Sequence, residues 1–114
     1  MKVPVHLSTL LLLVAGALPV QAQQAGDSKR GLALARQVCS ECHAIQPQQL
    51  VSPNPRAPTF PQLAATPGMT ATALTVALTT PHAGMPMFRL SPDQRDALIA
   101  YILGLRGSGA TPGK

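Results

Sequence analysis

Two thiols and an imidazole stand within five residues, Cys39-Ser40-Glu41-Cys42-His43, and the 114-residue chain has no other cysteine. This spacing puts three reactive groups on one side of a single turn of backbone. The fold must therefore bring that turn against something all three groups can share. The rest of the chain has little with which to fill a core: three large rings, Phe60, Phe88 and Tyr101, and no tryptophan. A bulky non-protein hydrophobe would occupy the space that ring side chains usually take.

The N-terminus reads as a leader rather than as part of the fold. Lys2 supplies a positive charge, Leu10 to Val20 is an apolar run, and Val20-Gln21-Ala22 puts small residues where a signal peptidase would cut. His6, Ser8 and Thr9 shorten the run below the ~20 apolar residues a membrane span needs. The expectation is a signal peptide over 1–22, a single domain over 23–107 and a flexible C-terminal tail over 108–114. A periplasmic location follows, with no membrane insertion after cleavage.

Beyond Ala22, eight basic residues against Asp27, Glu41, Asp93 and Asp96 leave a net charge of +4. There is no lysine run and no interleaving of basic and aromatic residues, so a nucleic-acid partner is a poor fit. Acidic protein partners suit a mildly basic surface.

Helical signals recur along the chain and alternating strand patterns do not. Asp27 is placed to cap a first helix running to Val38, in which Leu34 and Val38 share a face and Gly31 and Ala35 form a small-residue face. From Ala44 to Gly68 the prolines Pro47, Pro53, Pro55, Pro58, Pro61 and Pro67 exclude a long helix or central strand and predict an extended loop. A second helix is expected over Thr70 to Thr79, stopping short of Pro81. Ser91-Pro92-Asp93-Gln94 is a capping box with proline at the first helical position, and Ala97, Leu98, Tyr101, Ile102 and Leu105 mark one apolar face before Gly107.

Several chemistries use paired cysteines. A thioredoxin-like redox pair belongs at the start of a helix in a strand–helix–strand unit, whereas Cys39 follows a helix in a chain without strand signals. A structural zinc site needs four ligands, and only Cys39, Cys42, His43 and His82 remain after the leader. A disulfide between residues three apart closes too small a loop to stabilise much. Addition of both thiols to the two vinyl groups of one haem, with His43 held over the iron, uses every group in the motif. The cofactor expected is one covalent haem c with its iron.

With these residues together, the chain resembles the class I c-type cytochromes. The resemblance rests on Cys39 to His43 after a short helix, Gly84-Met85-Pro86 further on, and a last helix carrying Tyr101. It implies an all-α, cytochrome c-like fold with three main helices and proline-rich loops wrapped around the haem, the first and last helices crossing at Gly31 and Tyr101. It also implies Met85, 42 residues beyond His43, as the second axial ligand, with Met87 and His82 as rivals and Met69 as a packing residue. A loop proline carbonyl should accept the second ring N–H of His43; Ala57-Pro58 matches that segment, with Pro53 and Pro55 as alternatives. Arg56 and Arg89 flank the loops expected at the haem edge and are candidates for the propionates. The tryptophan that often contacts a propionate in the family is absent.

The function expected is one-electron transfer between a donor and an acceptor protein, such as a periplasmic dehydrogenase or a terminal oxidase, by a carrier that is not itself an enzyme. The alternatives are a dedicated haem subunit of an oxidoreductase complex, and a haem sensor or peroxidase with an open distal site.

Overall fold

The computed structural model describes residues 19–107. Most of the expected leader and the whole 108–114 tail lie outside the described residues. The chain forms α1 (Pro19–Val38), α2 (Phe60–Ala65), α3 (Ala71–Thr79) and α4 (Pro92–Gly104). Among the described residues there is no strand, only an isolated bridge between His82 and Met85. The fold is all-α, with four helices among the described residues where three main ones were expected.

The first helix starts eight residues earlier than expected. Pro19 opens it and glutamine and alanine carry it forward, so Asp27 is no cap. Its carboxylate instead pairs with Arg30 one turn further on. The extra helix, α2, sits inside the proline-rich loop. Thr59 caps it through the Gln62 amide, the Gln62 side chain reaches back to the Thr59 amide, and Pro61 falls in the first turn, where its missing N–H leaves no helical bond unmade. α3 is capped by Thr70, whose hydroxyl accepts from Ala73 N–H. The capping box at Ser91 forms as read, but α4 ends at Gly104, three residues before Gly107.

Ala97, Leu98, Ile99, Tyr101 and Ile102 of α4 and Leu105 just after it are buried, and all of them except Ala97 pack in one core with Ala35, Cys39, Ile45, Phe60, Ala64 and Leu74. Leu34, Val38 and Met69 border this core from half-buried positions. The crossing of α1 and α4 depends on Gly31: a Cβ there would lie 2.1 Å from the Ala97 carbonyl oxygen and 2.7 Å from Tyr101 Cβ. Only glycine permits that approach. Arg106, just beyond α4, ties its end to the α2–α3 connection by donating to the Ala64 and Met69 carbonyls at 3.2 and 2.6 Å. Among the described residues no helix is long and apolar enough to cross a membrane.

Candidate haem-attachment site

The motif continues the end of α1. Cys39 N–H donates to Ala35 C=O at 2.9 Å, and His43 N–H donates to Cys39 C=O at 2.9 Å, so one further turn separates the first thiol from the imidazole. No disulfide joins the two cysteines. Cys39 is buried and Cys42 half-buried, and burial pushes the Cys39 thiol up to about 11. A redox-active Cys-x-x-Cys needs the opposite, a thiol lowered toward neutrality. A protein metal cage is equally unsupported, since no three His, Cys, Asp or Glu side chains gather among the described residues.

His43 is fixed by its far nitrogen. Nδ1–H donates to the Pro58 carbonyl at 2.7 Å, which selects the tautomer with Nε2 unprotonated and open to a ligand. The same stretch grips the motif twice more: Phe60 N–H donates to Ala44 C=O at 2.9 Å, and the Phe60 ring lies 5.5 Å from the His43 ring, centroid to centroid. Asn54 N–H donates to Cys42 C=O at 3.1 Å. Pro53 and Pro55 sit where the chain turns, so of the three candidate segments only that ending at Pro58 presents its carbonyl to the ring.

The residues after His43 are held as firmly. Ser52 Oγ accepts from Ala44 N–H at 3.0 Å, and the Gln49 side-chain oxygen accepts from both Ile45 and Gln46 N–H. Tyr101 O–H donates to Ile45 C=O at 2.6 Å. Burial pushes the Tyr101 hydroxyl above its ordinary value and the charge of Arg36 offsets part of that, so the group stays a neutral donor.

Met85 closes a tight turn. Its N–H reaches the His82 carbonyl at 3.4 Å, with Gly84 at φ +84° in the left-handed region that its position requires. Met85 is half-buried, whereas Met87 is 51% exposed. His82 is exposed and its Nδ1 bonds the neighbouring Thr80 carbonyl at 3.1 Å. Arg56 and Arg89 are both exposed.

Two unbridged thiols a turn apart, an imidazole with Nδ1 already engaged, and a thioether on a glycine turn are a donor set that fits a covalently held iron porphyrin with mixed nitrogen and sulfur ligation. The sequence pattern marked Phe60 only as a large ring for the core and did not single out Ile45, Ser52 or Gln49. Thr59-Phe60-Pro61-Gln62 carries the same capping-box signature as Ser91 to Gln94, and it would have located Phe60 at a helix start facing the core.

The family described as Cytochrome C oxidase, cbb3-type, subunit III matches residues 26–102. That span runs from within α1 to within α4 and contains the motif, Pro58 and Met85. No curated protein and no solved structure matches the chain.

Proposed function

From the premise that the chain belongs to the cytochrome c oxidase, cbb3-type, subunit III family, and is a haem c electron-transfer protein of the class I c-type cytochromes, we propose that it is a periplasmic one-electron carrier with His43 and Met85 as axial ligands. The observation that carries this reading is the His43 Nδ1–Pro58 bond. It engages one ring nitrogen with the backbone and leaves the other available to a metal, as an axial imidazole requires. When bound, haem c supplies the one-electron redox couple. The chain would hold it through Cys39 and Cys42, orient His43 through Pro58 and Phe60, and offer it the Met85 thioether, a ligand that would favour the reduced state.

Were His43 and Met85 both to ligate the iron, no open position would remain for a substrate, and this reading makes the chain a carrier rather than an enzyme. The leader-like start supports export, where covalent haem attachment takes place. Arg56 and Arg89 are exposed and serve as candidate contacts for the propionates or for an acidic redox partner.

A second reading, that the chain is a fixed haem subunit of an oxidase rather than a shuttle, is favoured by the family description. The optical spectrum of the purified oxidised protein tests the first. A weak far-red sulfur-to-iron charge-transfer band is expected, and a high-spin spectrum would overturn the carrier reading. Size and stoichiometry after gentle extraction separate the two: a carrier elutes alone, a subunit with its oxidase.

A further inference from the structure

The attachment site depends on a residue in the last helix. Two backbone stretches fix the orientation of His43: residues 43–45, which follow the motif, and residues 58–60, which carry the carbonyl and the ring against it. They are joined to one another by the Nδ1–Pro58 bond, by Phe60 N–H on Ala44 C=O, and by the 5.5 Å approach of the two rings. Tyr101 touches both. Its hydroxyl donates to Ile45 C=O at 2.6 Å, and its ring lies 6.4 Å from that of Phe60, tilted by 56°.

We propose that Tyr101 is a positioning residue for the axial imidazole of His43, holding Ile45 through its hydroxyl and Phe60 through its ring. The inference rests on His43 being an axial ligand. A carbonyl two residues from His43 and a ring tilted against its own are both held by one side chain, so a shift of Tyr101 would disturb both supports of the imidazole together. Tyr101 itself is fixed at its base, where Gly31 lets α1 press on its Cβ. Its hydroxyl is buried and needs a partner, and the Ile45 carbonyl is the one it has. The strength of the Nδ1–H bond to Pro58 sets how much electron density the imidazole gives the metal. A loosened His43 donates less, stabilises the oxidised state less, and raises the midpoint potential.

The test uses the holoprotein in three forms: wild type, Tyr101→Phe, which keeps the ring and loses the hydroxyl, and Phe60→Leu, which breaks the ring contact. The readouts are the paramagnetically shifted ring-proton resonances of His43 in the oxidised state and the midpoint potential, with a thermal melt alongside. Both variants should displace the His43 resonances and raise the potential. Arg106→Ala, which removes the bonds from just beyond α4 to the Ala64 and Met69 carbonyls, should lower the melting temperature and leave both readouts at wild-type values. Unmoved resonances and potential in Tyr101→Phe overturn the inference, as does an equal displacement in Arg106→Ala. Should Tyr101→Phe fail to accumulate with haem, the wild type decides: a Tyr101 hydroxyl proton in slow exchange with water supports the bond to Ile45, and one in fast exchange overturns the inference. A wild-type spectrum lacking imidazole resonances overturns His43 ligation itself, a result distinct from the others.

Discussion

A Cβ added to Gly31 would sit 2.7 Å from the Cβ of Tyr101, closer than two carbons can approach without one helix moving. The second neighbour is worse: the Ala97 carbonyl oxygen, at 2.1 Å, belongs to the backbone of α4 and cannot rotate away. Gly31→Ala gains up to about 1 kcal/mol of helix propensity and loses more through overpacking, about 3 kcal/mol. The expected net loss is about 2 kcal/mol. Urea titration of the holoprotein followed by helical circular dichroism should show a lower midpoint, and an unchanged one contradicts the close crossing.

Met85 and Met87 are two residues apart but differently exposed, Met85 half-buried on the glycine turn and Met87 open to solvent. Met85→Ala should abolish the far-red charge-transfer band of the oxidised protein, and Met87→Ala should keep it. The reverse pattern would move the ligand two residues along the chain.

Cys42→Ala removes one of the two anchoring thiols. Denaturing mass spectrometry should then find no chain bearing the normal doubly attached haem, while the wild type retains the group after unfolding. An intact two-thioether product from this variant would rule out Cys42 as an attachment point.

Arg106 donates to the carbonyls of Ala64, near the end of α2, and of Met69, ahead of α3. Because the arginine is exposed, its replacement by alanine should cost roughly 1 kcal/mol, at the lower end for a charged donor. Differential scanning calorimetry would register this as a fall of a few degrees. Arg106→Lys should recover part of it, since one ammonium cannot reproduce the two-pronged geometry.

The site was legible to different degrees for physical reasons. Cys39, Cys42 and His43 are contiguous, so their chemistry can be read from spacing alone. Ser91 announced its helix because capping is a local interaction among four residues. The start of α1 was misplaced because Asp27 has the chemistry of a cap but sits amid residues that already favour helix, where it pairs with Arg30 instead. α2 was hidden by its prolines, which exclude long helices and tolerate a first turn. Least legible were Phe60 and Ile45, whose roles come from contacts with residues far along the chain, which no local pattern encodes.

The bond from Tyr101 to the Ile45 carbonyl spans 56 residues. Synthesis proceeds from the N-terminus, so the Cys39–His43 segment emerges well before the helix that reaches back to it. Until α4 arrives, nothing from that end of the chain ties residues 43–45 to residues 58–60. Order along the chain thus becomes order in time: the imidazole segment is made first and its brace last.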